Sequence, residues 1–272
     1  MLNSIKIKIA KTFGFITTNL KDILDLRHYF VFSKSKIILL KNYFRFRKHR
    51  KEWLRQGGKI TGNLIMLQDY FDNAGQNKGH YFHQDLLVAK MIYDTKPKRH
   101  VDIGSRLDGF VAHVASFREI EVIDIRPLEK SSHQNIKFLQ ADMMNSAKVS
   151  KTDSLSCLHA IEHFGLGRYN DPIDIDGHMK GISNLVSMIE KNGILYISFP
   201  IGKTDEVYFN AHRIFHPKSI FKNHSIRSQM ELIRFDYVDD IGDLHLNANV
   251  ESTLGRLNNG CGIYTLKKLS NF

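Results

Sequence analysis

The chain has 272 residues and carries 39 Lys and Arg against 28 Asp and Glu, a formal net charge of +11. Its two cysteines are too few for a disulfide framework and match no metal-ligand spacing, which indicates a reducing cytoplasm. Its apolar runs are shorter than the roughly 18 to 20 residues of a membrane span, and the first twenty residues lack a signal-peptide stretch. We expect a cytoplasmic protein with one large α/β domain.

The excess positive charge lies in residues 1–60, which hold 15 Lys and Arg against 3 Asp and Glu. Within it, KSKIILLKNYFRFRKHRKEWLR interleaves apolar and basic residues as a basic amphipathic helix does. Such a helix would lie on an anionic membrane, grip a polyanion, or pack its apolar side on the catalytic domain. We expect a basic helical extension, residues 1–60, that holds the protein at the inner face of the membrane; nucleic acid is not the expected partner.

The remainder, residues 61–272, has the pattern of an α/β domain. LIMLQDYFDNAG and HQDLLVAKMIYDT predict helices, and beyond Pro97 short apolar strands alternate with helical stretches. The predicted strands are HVDIG, IEVIDI, IKFLQAD, SLSCLHA and GILYISFP, and the helices are GFVAHVASF and HMKGISNLVSMIEKN, with Gly193 as a helix stop. This alternation indicates a Rossmann-like, doubly wound, mostly parallel sheet with helices on both faces. MELIRFDYV and CGIYTLKKL bring the strands to seven and predict an antiparallel hairpin that closes the sheet.

The turn after HVDIG departs from the dinucleotide pattern G-x-G-x-x-G. In Gly104-Ser105-Arg106-Leu107-Asp108-Gly109 an arginine replaces the middle glycine, which normally lets the backbone touch a pyrophosphate. Asp108 adds negative charge at the helix start. The turn is therefore poorly suited to a nicotinamide dinucleotide and better suited to a cationic ligand without phosphates.

Acidic residues close three successive predicted strands, at Asp102, Asp124 and Asp142. Asp124 follows Gly104 by twenty residues, about the spacing at which a carboxylate meets the two ribose hydroxyls of a nucleotide. Asp142 would accept a hydrogen bond from an exocyclic amine. Each acid alone would serve equally well as a helix cap or turn residue. Together they predict a shared hollow that holds an adenosine-bearing ligand.

These segments resemble the class I S-adenosylmethionine-dependent methyltransferases over roughly residues 80–200. VDIGSRLDG is similar to their first motif, VIDI to the acidic second strand and LQAD to the adenine-contacting turn. DSLSCLHAIEHFGLG resembles their fourth strand, and IEKNGILYISFP the fifth. EHFGLGRYNDPID and NAHRIF resemble an uncharacterised branch associated with bacterial surface-polysaccharide genes. The resemblance implies S-adenosyl-L-methionine as the cofactor.

The resemblance also implies site residues. The implied cofactor contacts are Tyr81, Gln84, Asp102, Gly104, Ser105, Arg106, Gly109, Asp124, Ile125, Asp142, Met143, His159 and Ala160. Methylation of a sugar hydroxyl needs a positioned base, and we expect His163 in that role, with Glu162 orienting the imidazole or the cofactor. A buried, hydrogen-bonded structural histidine is the alternative. His212 and Arg213 would enter the acceptor site, although local hydrogen bonding would also account for them.

The polar loop GLGRYNDPIDIDGH is expected to lie over the cleft and to bind the substrate through Arg168, Tyr169 and Asp171. The acids of this loop and His178 would suit Mg²⁺, but an acidic loop that caps the next helix is favoured, so no metal site is expected.

We expect an O-methyltransferase that acts on a sugar of a bacterial surface polysaccharide or its lipid-linked precursor. Three rivals remain. The first is a glycosyltransferase, because the DID triplet at 174–176 matches a short metal motif of those enzymes. The second is a nicotinamide-dependent oxidoreductase, which Arg106 disfavours. The third is a non-catalytic binding protein with a methyltransferase-like fold, for which the departures in the first motif leave room. The strand-end acids and the intact AIEH and QAD segments favour the methyltransferase.

Overall fold

The structure is a computed structural model that describes residues 34–62, 64–129, 131–145 and 149–270. Contacts within the chain divide it into two compact units, Met1–Gly75 and Gln76–Phe272. The part of the predicted basic extension that precedes residue 34 lies outside the described residues. None of the helices in the described ranges is both long and apolar enough to cross a bilayer.

The first unit contains the predicted basic helix, α1 (Lys34–Arg55), which is confirmed. It ends where Gly57 takes a left-handed φ of +86°, and the amide of Gly58 donates to the carbonyl of Trp53. A glycine reversal of this kind satisfies the last carbonyls of a helix. Among the side chains of α1 that the structure describes, six large apolar ones are exposed, namely Ile38, Leu40, Tyr43, Phe44, Trp53 and Leu54.

The helix predicted at LIMLQDYFDNAG is wrong. This segment is irregular apart from one 3₁₀ turn, Asp69–Phe71. Contacts with α1 hold it: the side-chain amide of Asn42 donates to the carbonyl of Leu67 at 2.6 Å, and the guanidinium of Arg45 lies 4.5 Å from the centre of the Tyr70 ring. These tertiary contacts outweigh the weak local helical preference.

The second unit is built on an eight-stranded sheet with the order β3-β2-β1-β4-β5-β10-β8-β9. The strands are β1 (His100–Ile103), β2 (Ile120–Asp124), β3 (Ile136–Gln140), β4 (Thr152–Leu158), β5 (Ile189–Ile201), β8 (Met230–Val238), β9 (Leu244–His245) and β10 (Gly260–Lys268). Strands β6 (Glu206–Tyr208) and β7 (His212–Ile214) form a separate antiparallel pair. The doubly wound α/β fold is confirmed, with eight strands instead of the expected seven.

The first five strands are parallel, and the last three of the sheet are antiparallel to their neighbours. The expected antiparallel closure is therefore present, with β10 inserted between β5 and β8. Gly193 does not stop the preceding helix, which ends at Met188, but lies within β5. A Cβ at Gly193 would come within 3.0 Å of the carbonyl oxygen of Asp153, so a side chain at this position would crowd the neighbouring strand β4.

Helices cover both faces of the sheet. They are α2 (His80–Thr95), α3 (Ala112–Ala115, preceded by a π-helical turn Leu107–Val111), α4 (Gly177–Met188) and α5 (His224–Gln229). Consecutive residues of β5 alternate between two apolar clusters: Leu195 and Ile197 pack in one, Tyr196 in the other. The alternation follows from the two-residue period of a strand and gives the unit one core on each face.

The chain leaves β1 toward β2 and β3 on one side and returns as β4 on the other side of β1. Strand order therefore reverses between β1 and β4. In open α/β sheets ligands bind beyond the carboxyl ends of the strands at this point. The fold thus indicates where a ligand site should lie.

Candidate functional site

A cavity of ≈ 450 Å³ opens at the reversal point. Its wall includes Gly104 after β1, Asp124 at the end of β2, Asp142 after β3 and Ala160 after β4. Fifteen of the twenty site residues predicted from sequence line it: Tyr81, Gly104, Arg106, Asp124, Ile125, Asp142, Met143, His159, Ala160, Glu162, His163, Arg168, Tyr169, Asp171 and His212.

Gly104 forms a tight turn in the cavity wall. Its φ is +74°, a conformation that side-chain-bearing residues rarely adopt, and its amide donates to the carbonyl of Ile123 at 2.9 Å. A Cβ at this position would lie 2.9 Å from the Cβ of Ala160. Glycine is therefore needed both for the turn and for the close approach of β1 to the segment after β4.

Asp102 does not line the cavity, contrary to the expectation of three carboxylates in one hollow. Its side chain is fully buried and accepts hydrogen bonds from the Ser105 amide at 3.0 Å, the Ser105 hydroxyl at 2.7 Å and the Ser156 hydroxyl at 2.5 Å. Burial raises the pKa of Asp102 to about 6, although these hydrogen bonds oppose the rise. Through its hydrogen bonds to Ser105, Asp102 thus stabilises the Gly104 turn on the side away from the cavity.

Asp124 faces the cavity, and Arg126 pairs with its carboxylate. The Arg126 Nε lies 2.9 and 3.1 Å from the two carboxylate oxygens, and the Nη2 also donates to one of them. The guanidinium reaches the Gly104 carbonyl at 3.3 Å and lies 4.6 Å from the centre of the Tyr169 ring. A ligand that uses this carboxylate must share it with Arg126 or displace Arg126.

Asp142 lies beside an apolar part of the wall. Its carboxylate accepts hydrogen bonds from the Met144 amide at 2.8 Å and the Asn145 side-chain amide at 2.7 Å. Ile125 and Met143 line the same cavity. A flat apolar ring with polar edges would match such a pocket.

After β4 the chain turns sharply and brings His159 and Glu162 together. His159 has a left-handed φ of +49°, and its Nδ1 lies 2.8 Å from Oε1 of Glu162. Both side chains are buried, and in the described part of the chain His159 Nε2 and Glu162 Oε2 have no hydrogen-bond partner. Burial opposes charge on both groups, but Cys261 and Glu162 together raise the pKa of His159, and the attraction of His159 lowers the pKa of Glu162.

His163 has the geometry of a general base. Its Nδ1 lies 2.7 Å from the Ala211 carbonyl oxygen, which can only accept, so Nδ1 carries the proton and Nε2 keeps its lone pair. Burial, assisted by the positive charge of Arg168, lowers the pKa of His163. The imidazole is therefore neutral near pH 7. Its Nε2 lies 3.7 Å from Glu162 Oε1, and His163 lines the cavity.

The predicted substrate loop is folded around Asp171. Its carboxylate accepts hydrogen bonds from the backbone amides of Gly165 at 2.9 Å, Gly167 at 3.2 Å and Tyr169 at 3.1 Å. The Arg168 guanidinium donates to the Ala211 carbonyl at 2.9 Å and lies 5.2 Å from the centre of the Tyr169 ring. These contacts hold the loop against the cavity.

Among the residues that the structure describes, the remaining acids of this loop form no metal cluster. The carboxylate of Asp174 pairs with Lys180 and also accepts from the Asp176 amide at 2.9 Å. Burial lowers the pKa of His178 to about 4, with help from the charge of Arg213. The DID triplet thus belongs to the start of α4.

Five predicted site residues lie outside the cavity wall: Gln84, Asp102, Ser105, Gly109 and Arg213. Gln84 accepts a hydrogen bond from the Ser198 hydroxyl at 2.6 Å, and a Cβ on Gly109 would lie 2.7 Å from a carboxylate oxygen of Asp85. Arg213 donates to the Phe164 carbonyl at 2.6 Å and so anchors the loop after β4. These residues therefore support the segments behind the cavity wall and do not line the cavity itself.

Three polar wall residues were not predicted from sequence: His80, Arg126 and Asn259. His80 begins α2, and its ring is parallel to that of His159 with 5.3 Å between their centres. Arg126 was detectable, because it follows Asp124 by two residues. Asn259 precedes β10, and only the insertion of that strand beside β5 brings it to the cavity.

Comparisons with known proteins place this geometry in context. A family model described as "Caenorhabditis protein of unknown function, DUF268" matches residues 123–253. No curated protein matches the chain. Its structure is similar to that of N-methyltransferase NodS from Bradyrhizobium japonicum WM9 in complex with S-adenosyl-l-homocysteine, with a TM-score of 0.47 and 11% identity over 74% of this chain and 91% of that chain.

A second similar structure is an S-adenosylmethionine-dependent methyltransferase from Clostridium acetobutylicum ATCC 824, with a TM-score of 0.47 and 12% identity over 83% of this chain and 98% of that chain. A third is the glycopeptide N-methyltransferase MtfA, with a TM-score of 0.44 and 10% identity over 68% and 98%. At these identities the similarities concern the fold alone, and evidence for the function of this chain has to come from the side chains of its own cavity.

Proposed function

We propose that the chain is an S-adenosylmethionine-dependent methyltransferase. The observation that carries the proposal is the meeting of the Gly104 turn and the Asp124 carboxylate in one cavity at the reversal point of the sheet. Arg106 occupies the position of the glycine that a pyrophosphate would require. The wall therefore suits an adenosine compound without phosphates.

The cavity fits that cofactor in three respects. Asp124 would accept hydrogen bonds from the two ribose hydroxyls once Arg126 moves away, and the ring of Tyr169 offers Arg126 a second contact. The apolar side chains of Ile125 and Met143, with Asp142 beside them, would hold the adenine. Close backbone approach at Gly104 leaves room for the amino-acid portion. The cofactor supplies a methyl group already activated on a sulfonium.

The chain must then hold the acceptor in line and remove its proton. We assign proton removal to Nε2 of His163, because its lone pair is free while Nδ1 is bound to the Ala211 carbonyl. Glu162 is a positioning residue that fixes the turn after β4 through His159. Its negative charge, 3.7 Å from Nε2, would also stabilise the imidazolium formed during transfer.

We further propose that the acceptor is a sugar hydroxyl of a bacterial surface polysaccharide or its lipid-linked precursor. A hydroxyl of high pKa needs a base, and a neutral imidazole is present. Tyr169 and His212 line the cavity and would stack on a pyranose ring, while Arg168 beside them would bind an acidic substituent. The helix α1, with its basic residues and exposed apolar side chains, would keep the enzyme at a membrane that carries such a precursor.

Calorimetric titration of the full chain tests the proposed cofactor. S-adenosylhomocysteine should bind at a single site, whereas NAD and a uridine-diphosphate sugar should give no heat of binding. Binding of the nucleotide sugar instead would identify a glycosyltransferase, and binding of NAD an oxidoreductase. Absence of binding by all three would leave a non-catalytic protein and overturn the proposal.

A further inference from the structure

Three metal-ligating side chains from distant parts of the sequence meet at one end of the cavity. They are His80 at the start of α2, His159 after β4 and Cys261 in β10, and one ligand atom of each lies within 4.8 Å of the other two. His159 and Cys261 are buried and His80 is half-buried. The proposed methyl transfer assigns none of the three a chemical step.

The orientation of His159 is the strongest evidence for a bound ion. Its side chain is 4% exposed, its Nδ1 is occupied by Glu162 at 2.8 Å, and its Nε2 has no hydrogen-bond partner in the described part of the chain. A buried polar atom without a partner is costly, and native structures rarely keep one without a reason. A carboxylate on the far nitrogen is the usual arrangement of a histidine that binds a metal.

The three ligand atoms are close enough to share one ion. Bonds of about 2.0 Å to nitrogen and about 2.3 Å to sulfur at a tetrahedral angle put ligand atoms roughly 3.5 Å apart. The observed separations, all within 4.8 Å, exceed that value by at most about 1.3 Å, so the three side chains would draw together around the ion. Two imidazoles and a thiolate are a donor set that zinc prefers, and hard oxygen-seeking ions such as Mg²⁺ do not.

We propose that His80, His159 and Cys261 bind one Zn²⁺ ion, with the fourth coordination position open to the cavity. His80 and His159 both line the cavity wall, so a water molecule or an oxygen of the acceptor can reach that position. Three protein ligands plus one exchangeable ligand are the pattern of a catalytic zinc site. Binding would release the thiol proton of Cys261 to solvent and leave a metal-bound thiolate.

This site would also join three elements of the fold, α2, the turn after β4 and β10. Glu162 would be the outer-shell partner that orients His159, a role whose loss typically weakens metal binding 10- to 100-fold. The proposal does not depend on the identity of the methyl donor, and metal binding can be measured without the donor.

Cobalt substitution in the full chain tests the site. Metal-free protein titrated with Co²⁺ should bind one equivalent and develop a thiolate-to-cobalt charge-transfer band, and one equivalent of Zn²⁺ should remove that band. Cys261→Ser should abolish the band. Cys157→Ser is the matched control, because Cys157 is equally buried but lies outside the cluster, and it should retain the band.

His80→Ala should weaken Zn²⁺ binding at least tenfold, and since His80 is only half-buried this variant serves where Cys261→Ser does not fold. Failure of the wild-type chain to bind one equivalent of Co²⁺, or a band that survives Cys261→Ser, would overturn the proposal. Loss of metal binding in Cys157→Ser protein that keeps the wild-type circular dichroism would overturn it as well. None of these outcomes bears on the binding of S-adenosylhomocysteine, so the two proposals fail separately.

Discussion

The guanidinium of Arg126 pairs with both carboxylate oxygens of Asp124, two residues earlier in the chain. The carboxylate that we propose for the ribose hydroxyls therefore already has a partner inside the protein. On this proposal, cofactor binding would exchange this ion pair for two hydrogen bonds and leave Arg126 with its existing contact to the ring of Tyr169. The cost of breaking the pair would then lower the affinity of the site for the cofactor.

Arg126→Met should therefore tighten the binding of S-adenosylhomocysteine, by up to about fivefold if the pair contributes roughly 1 kcal/mol. Calorimetric dissociation constants of the wild type and the variant provide the measurement. Arg118→Met removes a guanidinium that donates to the Pro97 carbonyl, away from the cavity wall, and is the matched control. Weaker binding in Arg126→Met would mean that Arg126 contacts the cofactor directly.

Asp124→Ala and His163→Ala should separate binding from turnover. Loss of charge-assisted hydrogen bonds to the ribose should weaken S-adenosylhomocysteine binding by about 10- to 100-fold in Asp124→Ala. His163→Ala should leave this binding within about threefold while kcat falls by about 10²- to 10⁴-fold. Calorimetry together with a methyl-transfer assay checks both. Equal effects of the two variants on cofactor binding would contradict the assigned roles.

The pH dependence of turnover should reflect the lowered pKa of His163. Because burial and Arg168 lower this pKa, the imidazole stays neutral below the usual range of histidine, and kcat/KM should decline only at more acidic pH. Arg168→Gln removes one of the charges that lower the pKa, so the acid limb should move to higher pH. A pH profile that is identical in the two proteins would show that His163 is not the titrating base.

Asp102 should affect stability and its pH dependence. Burial raises its pKa to about 6 in the folded chain, above the ordinary value of 3.8, so the folded state binds this proton more tightly than the unfolded state. Its contribution to the free energy of unfolding is therefore fully present below pH 4 and is lost as the pH rises through 6. Asp102→Asn lacks this contribution.

The free energy of unfolding of the wild type, relative to that of Asp102→Asn, should be about 2 kcal/mol larger at pH 4.5 than at pH 7. Urea denaturation of both proteins at the two pH values measures the difference. Binding of S-adenosylhomocysteine should persist in the folded variant, since Asp102 lies behind the wall. A difference of the opposite sign would mean that Asp102 is ionised in the folded chain throughout this range.

The basic extension should bind anionic membranes. The intact protein should co-sediment with phosphatidylglycerol vesicles and not with vesicles of pure phosphatidylcholine. Deletion of residues 1–55 should abolish the co-sedimentation with phosphatidylglycerol vesicles. In the full chain, Lys48→Glu, Arg50→Glu and Lys51→Glu together should weaken binding over a hundredfold, because each basic residue contributes about 1 kcal/mol. Lys96→Glu, Lys98→Glu and Lys191→Glu carry the same charge change outside the extension and should bind normally. Unchanged sedimentation after the deletion would refute the membrane role.

Strand periodicity explains which of the acids could be placed from sequence. Asp124 ends β2 and Asp142 lies beyond β3, so both were correctly expected at the sheet edge. Asp102 is followed by Ile103 within β1, and successive side chains of a strand point to opposite faces. Its carboxylate therefore projects from one face of the sheet, where it accepts a hydrogen bond from Ser156 of the neighbouring strand β4, and does not point out of the end of the strand.

Other features depend on contacts between distant residues and are not encoded in local patterns. Segment 64–75 has helical periodicity, but packing against α1 holds most of it in an irregular conformation. The cluster of His80, His159 and Cys261 has no recognisable spacing, because three separate elements assemble it. By contrast, each strand of the parallel part of the sheet is marked by an apolar run within its own segment, and for that reason the sequence alone could predict all five of these strands.

The position of β10 has a consequence for biosynthesis. The strand β10 lies between β5 and β8 and pairs with both. Residues 260–268 must therefore leave the ribosome before β5 and β8 can form their hydrogen bonds with β10. Until then the nascent chain exposes two unpaired backbone edges, which are templates for misassociation with other polypeptides. Nearly the whole domain must therefore be translated before its sheet can close, and rapid late folding or chaperone protection becomes a condition for productive synthesis.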